Sequence, residues 1–487
     1  MKILLAQSYF RVLDPKEHER NMPYPPLGSL YAATILKESG HEVNFFDSMM
    51  SGNISELERK IREINPDIFI IYDDEFNYLT KMCLSNMRDA AIRFIKTAKK
   101  LKIPSIVYSS DAADFPDSYL NAGCAAVIFG EGEMTLQELI NSFEKNDYEQ
   151  IKYEIKGIRF LRDGKAYSTG RRKLMEDIDS LPMPDYSFIK VERYRNIWMQ
   201  NHNYFSMNIS TSRGCPYRCN WCAKPLYGQT YNAVSPSKAA LQVKLLKEIY
   251  EVNHLWITDD IFGLKPGWIK NFSDELKKFN IKIPYKCLTR PDLLLRGNTI
   301  DDLKESGCRT IWIGAESGSQ KILDGMDKGT EVRQIYYAAL KTHKAGMEIA
   351  FFIQFGYLGE NWNDIKLTRK MIRKCIPDDI GISVSYPLPG TRFFEKVKSD
   401  LKDKKNWTDS DDLDLMFSGS FPKSFYKLLH RFVHTEYRIC KITKGMEWRR
   451  LPNFLINVLR YFDLKLKIMG YLREDKYVIK PRFERME

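Results

Sequence analysis

The sequence predicts an α/β protein in four parts: an N-terminal doubly wound parallel sheet over residues 1–145, a connector at 146–200, a partial (β/α)6 barrel over 201–400, and a small basic helical region at 401–487. Three observations carry this. Strand-length apolar runs alternate with helix-length segments in residues 1–145, and again in 201–400. The length of 487 residues suits roughly three domains. Hydrophobic residues make up 44% of the chain, ample for packed cores.

The first part reads in order. Lys2–Gln7 is a strand, and Leu27–Ser39 a helix stopped by Gly40. Glu42–Asp47 is a strand, Ile54–Asn65 a helix, and Asp67–Tyr72 a strand. Arg88–Leu101 is helical, Ser105–Tyr108 and Ala125–Phe129 are strands, and Thr135–Lys145 is a helix. This is βα repetition with about five parallel strands, and ligands of such sheets bind beyond the strand C-termini. Those ends are Gln7–Ser8, Asp47–Met49, Tyr72–Asp74, Ser109–Asp111 and Gly130–Glu133. No GxGxxG follows the first strand, so a dinucleotide site is disfavoured.

The connector holds a hairpin signal, Arg162-Asp163-Gly164, between Gly157–Leu161 and Lys165–Thr169. Leu181–Tyr186 is extended and proline-broken. In the second alternating part, Asn208–Thr211 ends a strand and Ser237–Glu251 is a helix. Strands follow at Leu255–Thr258, Tyr285–Leu288, Thr310–Gly314, Ile349–Phe355 and Ile380–Ser385. Chemistry in a parallel barrel sits at the C-terminal strand ends. Asp259-Asp260, Arg290, Gly314–Gly318, Gln354 with Gly356, and Pro387–Thr391 all fall at such ends.

The densest chemical signal is Cys215, Cys219 and Cys222, spaced CxxxCxxC after the strand that ends at Thr211. Three thiolates on one loop can hold three irons of a 4Fe-4S cluster, leaving one iron open for a reaction. A structural zinc site would want a fourth ligand, usually from a second CxxC or from histidines, and Cys287 and Cys308 lack that pairing.

CxxxCxxC with an aromatic, Trp221, before the last cysteine resembles the radical S-adenosylmethionine enzymes. The resemblance implies that the open iron takes the amino and carboxylate groups of S-adenosylmethionine and that one electron yields a 5′-deoxyadenosyl radical. It makes Cys215, Cys219 and Cys222 the metal ligands and catalytic centre. It places Trp221, Asp259, Asp260, Arg290, Glu316, Ser317 and Gln354 around S-adenosylmethionine. Gly314–Gln320 and the Pro-Leu-Pro-Gly-Thr stretch also look like this family. For Asp259, Asp260 and Arg290 the alternative is a structural ion pair at the barrel rim.

Residues 1–145 resemble the cobalamin-binding domain that precedes many radical S-adenosylmethionine domains. The resemblance rests on Pro25–Gly28, Leu36–Val43 and Gly130-Glu131-Gly132-Glu133-Met134-Thr135. It implies cobalamin contacts from Ser8, Leu27, Gly28, Met49, Ser109, Gly130, Glu131, Gly132, Glu133 and Thr135. Gly130 and Gly132 permit a tight turn, and Thr135 is placed to cap the next helix. In the DxHxxG register, Asp47–Gly52 keeps the aspartate and glycine but has Met49 at the histidine position. Bound cobalamin would then receive no protein histidine from that site. The alternative is a Rossmann-like domain with a lost or different ligand.

Charge and composition bound the rest. Net charge is +12, and residues 420–487 hold sixteen Lys/Arg against seven Asp/Glu. That bias suits a solvated helical surface or an anionic partner, with Phe454–Phe462, Leu464, Leu466 and Ile468 able to form an amphipathic helix, for packing or for peripheral membrane contact. No run of 18 apolar residues suggests a spanning helix, no nucleic-acid motif interleaves with the charge, and the Met1–Gln7 start reads as a strand rather than a signal peptide. Sparse cysteines suit a reducing, cytoplasmic setting. The reading is a cobalamin-dependent radical S-adenosylmethionine enzyme, a C-methyltransferase acting on a small-molecule substrate, served by an external electron donor such as flavodoxin or ferredoxin. A radical cyclase resembling the anaerobic tetrapyrrole enzymes, without methyl transfer, is the alternative enzyme. A cobalamin or cluster sensor or carrier is the non-enzymatic one. Methylthiolation is disfavoured because only Cys83 and Cys124 precede residue 200.

Overall fold

The structure is a computed structural model and describes residues 1–77, 84–222, 227–401, 404, 406–444 and 451–473. Cys83 lies outside the described residues, as do residues 474–487 of the basic C-terminal region. The chain divides into two compact units. The first is Met1–Pro216, Ala223–Cys287 and Asn406–Asp412; the second is Tyr217–Cys222, Leu288–Lys405 and Leu413–Glu487.

The first unit opens with β1 (Lys2–Ala6), β2 (Glu42–Phe46), β3 (Ile68–Tyr72), β4 (Ser105–Tyr108) and β5 (Ala126–Ile128), in parallel and in the order β2-β1-β3-β4-β5. β3, Ile-Phe-Ile-Ile-Tyr, is buried at every position, as a central parallel strand covered on both faces must be. Alternate residues serve opposite core layers. Ile3, Leu5, Ile68, Ile70 and Ile106 pack with Ala32, Leu36, Leu136 and Leu139. Leu4, Ala6, Phe69, Ile71 and Val107 pack with Leu57, Ile61, Ala91 and Phe94. The order reverses between β1 and β3, so the switch point lies beside Gln7–Ser8 and Asp73–Glu75.

The connector hairpin joins this sheet. β6 (Ile158–Arg162) pairs antiparallel with β5, and β7 (Lys165–Ser168) pairs antiparallel with β6. Its two-residue loop, Asp163-Gly164, has φ of 51° and 74° at its two positions, the conformation a two-residue hairpin turn needs. The expected cap at Thr135 is corrected. The helix runs Glu133–Glu144 with Gly132 at its N-cap, so Thr135 lies inside the first turn. There its hydroxyl donates to the Lys156 carbonyl and accepts from Arg172 Nε at 2.9 Å. The helix Val191–His202 has no counterpart in the sequence-based expectation.

The first unit continues with β8 (Ser206–Ile209), β9 (Ser212–Arg213), β10 (Asn232–Ala233), β11 (His254–Ile257) and the first three residues of β12 (Tyr285–Thr289), whose last two residues belong to the second unit. β8, β11 and β12 pair in parallel, while β9 and β10 form a short antiparallel ribbon. The helix Pro236–Tyr250 begins as its sequence suggests, with Pro236 in the first turn and the Ser235 hydroxyl accepting from Lys238 N–H.

The second unit carries β13 (Cys308–Glu316), β14 (Glu348–Phe355) and β15 (Asp379–Val384), again parallel. The strands β8 and β11 to β15 are the expected partial barrel. β13 bulges between Gly314 and Glu316, where Glu316 has a φ of 54°. Two helices, Lys423–Lys444 and Leu451–Arg473, pack on each other, with Phe432 stacked on Tyr461 at 5.0 Å. Arg369 makes a two-pronged pair with Glu436 at 2.8 and 2.9 Å, which ties the helix Trp362–Cys375 to the first of them.

Candidate active site

The lead into the cysteine loop is built in the first unit. Asp259 follows β11 and is buried. Its carboxylate accepts from Thr211 N–H at 2.6 Å, the Thr211 hydroxyl at 2.6 Å, Ser212 N–H at 3.1 Å and the Ser212 hydroxyl at 2.6 Å. Burial raises its pKa to about 6 against those donors, so it is mostly ionised at neutral pH. Asp259 therefore fixes the chain just before Gly214 and Cys215. Gly214 has a φ of 82°, and a methyl group there would overlap the Thr230 carbonyl. Asp260 is exposed.

Arg213, two residues before Cys215, is buried between two carboxylates. Nη1 donates to Glu131 at 2.7 Å and Nη2 to Glu133 at 2.5 Å. Tyr227, Phe76 and Tyr31 place rings 5.1, 5.6 and 6.0 Å from the guanidinium. Burial alone would lower the arginine's pKa, but Glu133 and its neighbours hold it well above its ordinary value. Glu75 completes the cluster, accepting from the Tyr227 hydroxyl at 2.7 Å. Burial, then the nearby Glu133, pushes its carboxyl up to about 8.

The rest of the loop sits in the second unit. Asn220 engages both amide hydrogens, its amide oxygen and both backbone groups there. Its side chain donates to Gly325 O at 2.7 Å and Asp327 at 2.9 Å, and accepts from the Tyr357 hydroxyl at 2.9 Å. Its backbone bonds Met326 O at 3.0 Å and Phe393 N at 2.9 Å. Arg290 stands beside Cys219, its Nη1 4.0 Å from Sγ, and its guanidinium lies 3.7 Å over the Tyr217 ring. Asp292 holds it at 2.9 Å.

Glu316 pairs with Lys328 at 2.9 Å, and both are buried. A methyl group at Gly314 would overlap both charged groups, which explains the glycine. Burial lowers the lysine's pKa, but Glu316 and then Cys219 raise it, so the ammonium is retained. Lys328 also lies 5.9 Å from the Trp221 ring. Ser317 faces away from this group, meeting Thr368 at 3.0 Å and accepting from Ser319 N–H. Gln354 is buried, and its amide oxygen has no partner among the described residues.

The donor set fits an iron–sulfur cluster. Cys215, Cys219 and Cys222 are part-exposed, and none of the eight described cysteines is in a disulfide. Among the described residues no three Cys, His, Asp or Glu side chains already form a metal cage. Metal ligands are commonly gathered by the metal itself, since thiolates repel one another until it binds.

The groups at the strand ends of the first sheet differ in how far the fold already engages them. Gln7 is buried with neither amide atom partnered among the described residues, and Gly130, at a φ of 81°, has open space where a side chain would lie. These fit a large polar cofactor. Met49 is buried, so the turn offers a thioether and no imidazole. Ser8 is committed to Asp73, through N–H at 2.6 Å and hydroxyl at 2.8 Å. Ser109 caps the next short helix through Ala112 N–H. Leu27 is core, and Gly28 N–H donates to Asp74 at 2.9 Å. A side chain at Gly28 would overlap Glu75, and one at Gly132 would meet the Tyr72 hydroxyl and the Tyr108 ring. Glu131 and Glu133 each pair with Arg213 through one oxygen, and Glu133 Oε2 is buried with no partner among the described residues.

Sequence reasoning assigned no role to Arg213, Asn220, Glu75 or Lys328. The signals were present: an arginine two residues before the first motif cysteine, an acidic run Asp73-Asp74-Glu75 directly after an apolar strand, and a lysine in Asp327-Lys328-Gly329.

Residues 209–372 match the sequence model of the Radical SAM superfamily, and this stretch is a radical SAM domain. The chain is 26% identical over 390 residues to a protein of Pyrococcus horikoshii named uncharacterized methyltransferase PH0819, covering 79% of this chain and 81% of that one. Its fold is similar to the cobalamin-dependent S-adenosylmethionine radical enzyme OxsB with aqua-cobalamin bound, at a TM-score of 0.71 and 17% identity, over 98% of this chain and 74% of that one. It is also similar to the radical S-adenosylmethionine methyltransferase TsrM from Kitasatospora setae, with cobalamin and a [4Fe-4S] cluster bound, at a TM-score of 0.66 and 16% identity, over 82% and 74% of the two chains. The expected α/β architecture is thus present. Among the described residues no helix is long and apolar enough to cross a membrane.

Proposed function

We propose that this protein is a cobalamin-dependent radical S-adenosylmethionine enzyme that methylates an unactivated carbon of a small-molecule biosynthetic intermediate. The observation that carries the reading is the CxxxCxxC loop inside a radical SAM domain, with a doubly wound sheet ahead of it and two buried cations, Arg290 and Lys328, gathered near Cys219. In such a centre, a 4Fe-4S cluster supplies the electron that cleaves S-adenosylmethionine, and cobalamin carries the methyl group.

The chain's own groups then have distinct tasks. Cys215, Cys219 and Cys222 hold the cluster. Arg290 and Lys328 offset thiolate charge at Cys219, while Glu316 keeps Lys328 charged and in place. Asp259 and Asn220 fix the two halves of the loop. Trp221 and Gln354 each carry a buried polar atom that S-adenosylmethionine can satisfy. Gln7 and the open turn at Gly130 would receive cobalamin, and the turn at Met49 would offer it no imidazole. A flavodoxin or ferredoxin supplies electrons in a reducing cytoplasm.

The test is anaerobic incubation of the reconstituted protein with reductant and methyl-labelled S-adenosylmethionine. Formation of 5′-deoxyadenosine together with cobalamin-dependent S-adenosylhomocysteine supports the reading. 5′-Deoxyadenosine alone points to a radical reaction without methyl transfer, and neither product points to a sensor or carrier.

A further inference from the structure

The helix Leu451–Arg473 is apolar on two opposite sides. One side packs on the helix Lys423–Lys444 through Leu464 and Ile468, both buried, with Tyr461 on Phe432 and the Tyr471 hydroxyl on Ser424 at 2.8 Å. The other side has no such cover among the described residues. Leu455, Leu459, Phe462, Leu466 and Met469 recur at steps of four, three, four and three, and all are exposed, Leu459 to 72% and Leu466 to 69%. At about 100° per residue these five fall in a stripe roughly 80° wide. A stripe this regular on an exposed helix is a surface built to be covered.

The flanking charge identifies what covers it. Arg460, Lys465, Lys467 and Arg473 are exposed on the same helix, and the single acid among its residues, Asp463, is taken by Lys467 at 2.7 Å. Over residues 420–487 the balance is sixteen basic against seven acidic residues. A second copy would bring two such basic surfaces together and repel itself. An anionic lipid surface offers acyl chains for the stripe and phosphates for the basic rim. A 23-residue helix with an apolar stripe and a basic rim, falling short of a membrane span, matches an interfacial helix lying in the plane of the headgroups.

We propose that the exposed stripe of Leu451–Arg473 docks this protein on an anionic membrane surface. The proposal is independent of the cofactors and of the reaction. It is tested by co-sedimentation of the full chain with vesicles of phosphatidylglycerol and phosphatidylcholine, against vesicles of phosphatidylcholine alone. The expected result is binding to the anionic vesicles that drops at least about tenfold on neutral ones and weakens steeply with salt. Leu459→Gln with Leu466→Gln lowers binding about tenfold or more while circular dichroism stays unchanged, since both side chains already face solvent. Arg460→Gln with Lys465→Gln removes part of the salt-dependent component. The proposal is overturned if the parent stays in the supernatant with anionic vesicles, or if the Leu459/Leu466 variant pellets like the parent. It is also overturned if sedimentation velocity shows the parent dimeric and that variant monomeric, because the stripe's occupant is then a second copy.

Discussion

Arg213 donates to Glu133 across 2.5 Å, and both side chains are almost completely buried. Arginine and glutamate lie 80 residues apart in sequence, one on the ribbon that leads to Cys215, the other at the start of the helix after β5. Glu131 takes the second arm of the same guanidinium. The first cysteine of the motif is thus tied to the turn at which the first sheet presents its last parallel strand. A mutation that shifts that turn would act on the backbone two residues from Cys215, a ligand in the proposed cluster site.

Arg213→Lys therefore keeps the charge but cannot bridge two carboxylates with one planar fork. We expect lower iron content after reconstitution and lower stability, with Arg213→Ala worse. Breaking a buried pair from one side costs about 3–5 kcal/mol, because the other charges stay buried. Urea denaturation and iron analysis read the two effects. Parent-like iron loading and stability in Arg213→Ala would show that the tie has no consequence.

The triple change Cys215→Ala, Cys219→Ala and Cys222→Ala should abolish the brown iron–sulfur absorbance and S-adenosylmethionine cleavage. Retention of about four irons per chain in that variant would refute the cluster assignment.

Glu316 carries two tests, because it is a partner of Lys328 as well as a candidate contact for S-adenosylmethionine. Charged hydrogen bonds contribute roughly 1.5–3 kcal/mol each, so Glu316→Ala should weaken S-adenosylmethionine binding about ten- to a hundredfold, and Glu316→Gln less. Glu316→Ala also leaves a buried ammonium unpaired, so stability should fall. Adding Lys328→Met should restore stability without restoring binding. Recovery of both in the double variant would make Glu316 a structural partner only.

Glu75 predicts a pH dependence of the apo protein. Burial raises its carboxyl from an ordinary value of 4.5 to about 8 in the fold. A raised carboxyl contributes stability fully below its unfolded pKa and loses it as pH rises through the folded value. The melting temperature should therefore fall between about pH 5 and pH 8.5, and Glu75→Gln should flatten that fall. An equal slope in the variant would assign the effect to other groups.

The strands were legible because their signals are local. β3 is an unbroken apolar run, and the two-residue turn Asp163-Gly164 fixes the hairpin register from sequence alone. The cysteine motif was legible for the same reason, as spacing on one loop. Thr135 misled because the Gly132 backbone, rather than a hydroxyl, starts the helix. The charged residues behind the loop were not legible in their roles. Arg213 finds its carboxylates 80 and 82 residues away, and Asp259 reaches back 47 and 48 residues to Ser212 and Thr211. No local pattern encodes such pairings, and a carboxylate bound to an arginine has the same letter as one offered to a cofactor.

The connector hairpin has a further effect on how the protein survives in a crowded cell. Without it, β5 would end the sheet with Ala126, Val127 and Ile128, all fully buried in the fold and a ready template for pairing with another chain. β6 covers that edge, and the new edge is the four-residue β7, Lys-Ala-Tyr-Ser, opened by an exposed lysine. A short charged strand is a poor seed for edge-to-edge aggregation. Removing residues 157–169 should thus make the protein more prone to precipitate, even where the parallel sheet itself still forms.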